Sequence, residues 1–388
     1  MKNTKFSSGL CKVQFVLEIL VLSFVRVVHA DPIQPPNLDE CRNQDSGCCI
    51  LLPQNEVLNF SFDMYPQVKK VRASAHLVDN KYIAKYKKGY ELLRSLPLDD
   101  PRSLMQQANA HCSMCTSAYL QPGTNAILQV HFSWLFLPWH RWFIYFHERI
   151  LGKLLRDPSF SLPFWDWDNQ IDGNFIPIVF NDKNSALYDS YRDATHSPPT
   201  LIQLDGGDGI RERSEIVAQN LLEMYQVMVV PSTADVFMGG AFRHGDNYSS
   251  SDTQQAAIGG IMDNTVHSRV HWWVGDPVQP NRSDMGTFST AARDPIFYAH
   301  HANVDRLWEI WRTSLPGGPR QVFTDPDFLD ASFVFYDENA NLVRVTIRDS
   351  LDNEKLGVKY SKVEADKLWI NYVPGEEQPS TPKKDLLP

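Results

Sequence analysis

The sequence predicts a mainly α-helical fold with long loops and a few short β-strands. Apolar residues recur at helical spacing over several long stretches. Histidines fall into two groups, each set in a pattern rich in tryptophan and phenylalanine. Alternating, strand-like residues are confined to a short region near the C-terminus.

The composition is that of a folded, acidic protein. Of the 388 residues, 43% are hydrophobic and 21% are charged, which is enough apolar material for a sizeable core. The formal net charge is -9, and no basic stripe runs along the chain. Nucleic acids and anionic membranes are therefore not expected as partners.

Residues 1–30 have the pattern of a secretory signal peptide. Lysines precede an apolar run over residues 13–25, and Val28-His29-Ala30 offers small residues at a cleavage position. The run is too short and too interrupted for a membrane anchor. We expect the secretory pathway, with the vacuole or the extracellular space as destination, and no membrane after signal removal. A plastid is the alternative.

The elements predicted for the main part of the chain follow in order. Residues 31–66, rich in proline, asparagine and cysteine, are expected to form an irregular coat pinned by disulfides. Helices are predicted over residues 71–96, 132–155, 215–229, 255–274 and 296–313. Residues 157–215 carry many proline, glycine, aspartate and asparagine residues, which predicts long loops.

The pattern changes after a proline- and glycine-rich turn at residues 316–319. Residues 333–336 and 342–347 alternate as strands do, around a turn at Glu338-Asn339. The polar, proline-rich residues 373–388 are expected to be disordered.

The two histidine groups carry the strongest functional signal. His267 and His271 stand four residues apart, so a helix places both imidazoles on one face. His131 and His140 can meet at one metal only if a helix begins between them, as Pro138 allows. Imidazole is the usual ligand for copper, zinc, nickel and iron. Two nitrogen-rich sites in one apolar core therefore suggest a metal pair.

Two long motifs resemble the copper-binding signatures of the tyrosinase family, and the plant polyphenol oxidases, or catechol oxidases, are the most similar branch. The motifs are HFSWLFLPWHRWFIYFHERIL followed by LPFWDWD, and DPIFYAHHANVDRLW. The resemblance implies a central four-helix bundle that holds a dicopper site. It also implies a tyrosinase-type dicopper domain over residues 31–320 and a small β-rich extension packed on it over residues 321–372.

The resemblance further implies six copper ligands: His111, His131 and His140 for copper A, and His267, His271 and His301 for copper B. His301 is preferred to its neighbour His300 because the signature places the ligand four residues before Asp305. His300 is then expected to lie behind the ligands and to support them.

Five cysteines follow the predicted signal, and an odd number in a secreted chain indicates one thiol with another role. In the family pattern, Cys115 forms a thioether with His131. The same pattern pairs Cys112 most simply with Cys48, which leaves Cys41 with Cys49.

Three candidate catalytic residues also come from the resemblance. Phe288 falls where the family carries a phenylalanine over the copper A entrance. Asp263 occupies the position of a glutamate that holds a water, and Ser268 that of an asparagine or glycine. The shorter carboxylate and the weaker water partner predict weak hydroxylation of monophenols.

The function that the resemblance implies is the copper-dependent oxidation of o-diphenols to o-quinones, with O2 reduced to water. Its partners are O2 and small phenols. The alternatives are tyrosinase-type hydroxylation of monophenols, oxidation of a specific flavonoid or lignan phenol, and oxygen carriage of the hemocyanin kind.

Possible glycosylation sites, consistent with the secretory route, begin at Asn59, Asn247 and Asn281.

Some conspicuous residues are expected to be structural. Arg141, Asp305 and Arg306 are predicted to form buried charge pairs. No role is assigned to His76, His147, His196 and His244. Tryptophans predicted to pack in the core are Trp165, Trp167, Trp272, Trp273 and Trp308.

Overall fold

The computed structural model describes residues 31–42, 48–65, 68–247 and 259–375. The predicted signal peptide and residues 376–388 of the predicted disordered tail lie outside these ranges, as do residues 255–258 at the start of one predicted helix. The mainly α-helical prediction is confirmed. Within the described ranges no helix has the length and apolar character needed to cross a bilayer.

Ten helices are numbered here in chain order. They are α1 (Asn80–Arg94), α2 (Leu104–Cys115), α3 (Phe136–Leu154), α4 (Arg213–Met228), α5 (Ala234–Met238), α6 (Ser268–Val274), α7 (Ile296–Thr313), α8 (Pro326–Leu329), α9 (Ile347–Ser350) and α10 (Asp366–Ile370). A π-helical turn, Asp263–His267, leads directly into α6. Residues 157–212 form long loops, as predicted, interrupted only by isolated bridges and two single-turn 3-10 helices, Ile178–Phe180 and Ala194–His196.

The centre of the fold is the packing of α3 against α7. α3 buries all but three of its 19 residues, and α7 all but four of its 18. Helices that are buried on nearly every side lie in the middle of a large core. α1 covers α3 on one flank, and α4 packs against the π-helical turn.

Three predicted helices, over residues 71–96, 132–155 and 255–274, begin later than expected. The last begins at residue 261, because Gly259 forms an isolated bridge with Gly239. α1 begins at Asn80 rather than near Val71, because residues 70–72 form a strand and Asp79 caps the helix by accepting from the Tyr82 backbone N–H. α3 begins at Phe136, and therefore between His131 and His140, with Pro138 in its first turn.

Five short strands lie within the described ranges: β1 (Leu58–Asn59), β2 (Lys70–Arg72), β3 (Ser332–Tyr336), β4 (Leu342–Thr346) and β5 (Val358–Tyr360). β3 and β4 form the predicted antiparallel hairpin, in which Phe333 lies opposite Val345. β1 adds to β4 in parallel, and β2 pairs with β5 in parallel. These two pairings fasten the N-terminal segment to the C-terminal extension.

The predicted buried charge pairs are present around α7. Arg141 donates to Asp305 at 2.5 Å, and the Arg306 guanidinium donates to both carboxylate oxygens of Asp168 at 2.8 and 2.7 Å. All four side chains are at least 96% buried. Because buried charges are tolerated only when paired, these contacts fix α7 relative to the elements around it.

Candidate metal centre

Seven histidines converge beside the α3–α7 contact. The first cluster is His111 of α2, His131 from the loop before α3, and His140 of α3. The second is His267, His271, His300 and His301, from the π-helical turn, α6 and α7. Within each cluster the possible ligand atoms lie within 4.8 Å of one another.

The two clusters face each other. The rings of His140 and His301 stack with their centroids 4.3 Å apart, and those of His131 and His267 lie 6.0 Å apart. This proximity follows from the packing of α3 on α7, which carries one histidine of each cluster into the contact. The arrangement suits two metal ions side by side.

Backbone carbonyls orient four of the imidazoles through Nδ1. The pairs are His111 with Phe288 (3.0 Å), His140 with Phe136 (2.8 Å), His271 with Met285 (2.8 Å) and His267 with Asp263 (3.3 Å). A carbonyl can only accept, so Nδ1 carries the proton and Nε2 presents a lone pair. Nε2 of His111, His140 and His267 is buried without a hydrogen-bond partner. A metal ion satisfies such nitrogens.

His301 approaches the second cluster from α7. Its Nε2 lies 3.2 Å from Nε2 of His271, whose Nδ1 already donates to a carbonyl. The two Nε2 atoms are thus close enough to act as ligands of one metal ion.

His300 has a different partner. The indole N–H of Trp167 lies 3.0 Å from its Nδ1, and an indole nitrogen can only donate. The neutral His300 ring therefore carries its proton on Nε2 and has no lone pair left for a metal. This hydrogen bond favours His301 as the ligand. Trp167, predicted only to pack in the core, thus also determines the tautomer of His300, and no local signal in the sequence links the two residues.

Burial keeps His111, His131, His140, His271, His300 and His301 neutral. It lowers the pKa of His111 to about 3, although the Phe288 carbonyl acts in the opposite direction. Burial also lowers, to well below the ordinary value, the pKa of His131, His140, His271, His300 and His301. Since the neutral imidazole is the form that binds metal, the site is ready for metal at physiological pH.

The metal-free protein is expected to lose stability as the pH falls. The pKa of His111 is about 3 in the folded state against an ordinary 6.5, so the unfolded state takes up a proton first. This stability is present above pH 6.5 and is lost as the pH falls towards 3. Between pH 6.5 and 4.5 the His111 contribution is about 2 to 3 kcal/mol. Urea unfolding at both pH values measures it. His111→Asn should show a smaller loss, and an equal loss in both proteins would contradict the prediction.

Asp263 is fully buried beside the second cluster. Its Oδ2 accepts from the Phe132 backbone N–H at 2.6 Å. Its Oδ1 lies 3.1 Å from Nδ1 of His267 but has no hydrogen-bond partner. The Ser268 hydroxyl donates to the Asp263 backbone carbonyl at 2.6 Å, a contact that the π-helical turn allows. One carboxylate oxygen thus remains available as an acceptor.

A cleft of about 250 Å³ opens onto the second cluster. Its lining residues are His267, Ser268, His271, Trp272, Met285, Gly286, Thr287, Phe288 and Ala291. His271 is partly exposed there, whereas no histidine of the first cluster is more than 2% exposed. The Phe288 ring lies 4.6 Å from that of His131. The cleft therefore leads to the second cluster, and the Phe288 ring in its wall packs against His131 of the first.

Trp272 does not pack in the core, which corrects its predicted role. Its side chain is 54% exposed at the cleft, and the Arg282 guanidinium lies 4.5 Å from its ring centroid. Because neighbouring residues on a helix point to different sides, Trp272 faces away from the side that carries His271. It lies at the rim of the cleft. The other four tryptophans, Trp165, Trp167, Trp273 and Trp308, are buried.

Cys115 is the one free cysteine among the described residues, and it is buried at the end of α2. Gln129 donates from its side chain to the Cys115 carbonyl, which brings the loop of His131 alongside. Burial raises the pKa of the thiol. Disulfides join Cys41 to Cys49 and Cys48 to Cys112, so the N-terminal coat is tied to the helix of His111.

Comparison with known proteins agrees with this geometry. Residues 101–314 match the family model for the common central domain of tyrosinase. The chain belongs to the tyrosinase family. Residues 322–375 match the polyphenol oxidase middle domain, which indicates the plant branch. The cofactor of this family is a pair of copper ions, and the two histidine clusters supply nitrogen donors suited to copper.

Among its tyrosinase-family relatives, aureusidin synthase of Antirrhinum majus is 46% identical over 368 residues, which cover 91% of this chain and 63% of that protein. Polyphenol oxidase A1, chloroplastic, of Vicia faba is 48% identical over 348 residues, which cover 86% of this chain and 55% of that protein. The crystal structure of Grenache (Vitis vinifera) polyphenol oxidase has a TM-score of 0.80 at 43% identity, covering 87% of this chain and 99% of that one. The chain thus spans between half and two thirds of these two curated relatives.

Proposed function

We propose that this protein oxidises o-diphenols to o-quinones and reduces O2 to water. The observation that carries the proposal is the pair of facing histidine clusters with an open cleft on one side. In this proposal copper A is held by His111, His131 and His140, and copper B by His267, His271 and His301. Two diphenols give up four electrons and four protons, and one O2 becomes two waters.

Bound copper supplies O2 binding and electron exchange, and the chain supplies geometry and proton handling. The carbonyls at Nδ1 hold Nε2 towards the metal. Aromatic walls around the first cluster exclude bulk water. Phe288 directs the phenol towards copper B. Asp263 Oδ1 accepts a hydrogen bond from a water that carries the phenolic proton away.

An assay with 4-methylcatechol tests this proposal. Copper-loaded protein should form quinone while taking up one O2 for every two quinones. Metal-free protein, the control, should form none. Reversible O2 binding without quinone formation would instead indicate a carrier of the hemocyanin kind.

Hydroxylation of tyrosine is expected to be weak, because the Ser268 hydroxyl donates to a backbone carbonyl and cannot also donate to the water at Asp263. Ser268→Asn introduces an amide that can, and should raise the tyrosine-to-DOPA ratio of kcat/KM by roughly tenfold, a modest share of what a positioned base contributes. Ser268→Ala, which restores no donor, is the control. Comparable rates on tyrosine and DOPA in the unaltered protein would refute the prediction.

The exposed Trp272 favours a second candidate function, the oxidation of an extended polyphenol such as a flavonoid or lignan. Its ring, backed by Arg282, offers a stacking face at the rim of the cleft. Trp272→Ala should raise KM roughly 2- to 12-fold for a diphenol with a second aromatic ring, which corresponds to about 0.5–1.5 kcal/mol of ring stacking. KM for 4-methylcatechol should not change, and Trp272→Phe should retain most of the preference. Equal effects on both substrates would argue against the stacking face.

We also propose that the chain is divided as the sequence predicts, into a dicopper domain over residues 31–320 and a β-rich extension over residues 321–372. The parallel pairings of β1 with β4 and β2 with β5 support docking of the extension.

A Cys115–His131 thioether is proposed as well. An intact mass lower by two hydrogen atoms, beyond those lost to the disulfides, would reveal it.

For the compartment, several relatives are named chloroplastic, which supports the plastid alternative. The secretory signal remains a prediction. Imaging of residues 1–30 fused to a fluorescent protein in plant cells distinguishes the two.

A further inference from the structure

A row of buried rings connects the metal centre with the surface at α1. This tyrosine row consists of Tyr298, His147, Tyr90, Tyr86 and Tyr82. Successive ring centroids are 3.5, 5.7, 5.3 and 6.0 Å apart. The first four side chains are fully buried, whereas Tyr82 is partly exposed. The row therefore forms one continuous aromatic path.

The inner end of the row reaches the copper ligands. Tyr298 lies three residues before His301 in α7, and its ring centroid is 5.2 Å from that of Phe297. The Phe297 ring in turn lies 4.2 Å from His301 and 4.9 Å from His111. One ring thus separates Tyr298 from ligands of both clusters.

Tyr90 and His147 form a hydrogen-bonded pair in the middle of the row. The Tyr90 hydroxyl lies 2.9 Å from His147 Nε2, and His147 Nδ1 lies 2.7 Å from Gln107 Oε1. Gln107 donates through its amide nitrogen to the Arg102 carbonyl, which fixes which amide atom is the oxygen. Nδ1 of His147 must then donate, and Nε2 accepts from the Tyr90 hydroxyl.

We propose that Tyr90 and His147 are a redox relay that protects the metal centre when it meets an oxidant without a phenol. Tyr90 gives one electron through Tyr298 towards the centre, and its phenolic proton moves to His147 Nε2. The products are a neutral tyrosyl radical and an imidazolium. Two such transfers, with two protons taken from solvent, reduce one hydrogen peroxide to two waters. After each transfer a diphenol outside, near Tyr82, returns one electron to the row and releases one proton to solvent, and His147 returns its proton to Tyr90. The two semiquinones formed in this way disproportionate to one diphenol and one o-quinone.

The hydrogen bonds single out Tyr90 as the place where the radical settles. Tyr298 donates to the Ala292 carbonyl and Tyr82 to the Ser161 carbonyl, neither of which takes up a proton, and the Tyr86 hydroxyl reaches no imidazole. Burial lowers the pKa of His147, but an oxidised tyrosine is a far stronger acid than an imidazolium, so His147 Nε2 can accept the proton of Tyr90. Packing alone does not require this pair, because a phenylalanine would fill the same space without burying a hydroxyl and an imidazole.

The relay rests on the proposed copper centre, and electron paramagnetic resonance tests it separately. Copper-loaded protein is mixed with hydrogen peroxide without phenol, frozen at intervals and examined for a tyrosyl radical. The unaltered protein should give the signal, and Tyr90→Phe should abolish it. Tyr145→Phe, a buried tyrosine outside the row, is the matched control and should keep the signal. Tyr90→Phe should also lose activity faster in peroxide.

Copper content and diphenol oxidation are measured first in every variant. A protein that binds no copper would contradict the proposed function itself. A protein with two copper ions and full diphenol oxidation, but with no radical or with an unchanged radical in Tyr90→Phe, would overturn the relay alone. In the unaltered protein, radical formation should be slower in D2O than in H2O if the proton moves to His147 with the electron, and equal rates would contradict that proton transfer.

Discussion

His301→Ala is expected to abolish diphenol oxidation and to lower bound copper from two ions per chain to one, whereas His300→Ala should keep both ions. His301 Nε2 lies within the second cluster, 3.2 Å from Nε2 of His271. His300 accepts from Trp167 at Nδ1 and therefore has no lone pair at Nε2. The loss for His301→Ala should exceed the roughly 10–100-fold that removal of a supporting partner costs.

The matched control is Trp167→Phe, which removes the same hydrogen bond from the other side. It should resemble His300→Ala in copper content and activity. Copper analysis of purified, folded variants and oxygen uptake with 4-methylcatechol measure both effects. If His300→Ala lost a copper ion and His301→Ala kept both, the assignment would be reversed.

Asp168→Asn is expected to destabilise the protein by about 3–5 kcal/mol, the range for breaking a buried ion pair. The Asp168 carboxylate is fully buried and receives both guanidinium contacts of Arg306, along with bonds from Asn303 and Trp369. The substitution removes one of the two carboxylates that pair with the Arg306 guanidinium and leaves only Asp366, 2.7 Å from Nη1. Since Trp369 belongs to α10, the C-terminal extension should loosen together with α7.

Unfolding in guanidinium chloride measures this change. Asp330→Asn serves as the control, because its ion pair with Arg348 is about half exposed on both sides and such pairs contribute about 0–1 kcal/mol. Equal stability losses in the two variants would mean that the Asp168 network does not hold α7 in place.

Local sequence patterns were enough to predict those helices and strands whose formation depends mainly on their own residues. The predicted helix at residues 296–313 has the observed bounds of α7, and the β3–β4 hairpin turns where predicted. Strand β2 was missed because its partner β5 lies far away in the chain. α2 was missed because its polar and small residues give a weak helical pattern, although its Ser103 cap is a readable signal.

In the candidate site, too, the features carried by local motifs could be predicted from the sequence, and those that depend on distant contacts could not. Of the six proposed ligands, His131, His140 and His301 stand in the two long motifs, and His267 and His271 have a helical spacing. The structure brings all six close together. The contact that separates His300 from His301 comes from Trp167, 133 residues away from His300. The free oxygen of Asp263 and the hydroxyl contact of Ser268 depend on the π-helical turn. No spacing rule predicts them.

Copper quantification on folded protein tests the central claim most directly. Elemental analysis, with protein concentration from amino-acid analysis and folding checked by circular dichroism, should give two copper ions per chain. A value near zero after loading with excess copper, in protein that remains folded, would contradict the dicopper centre and the oxidation chemistry built on it.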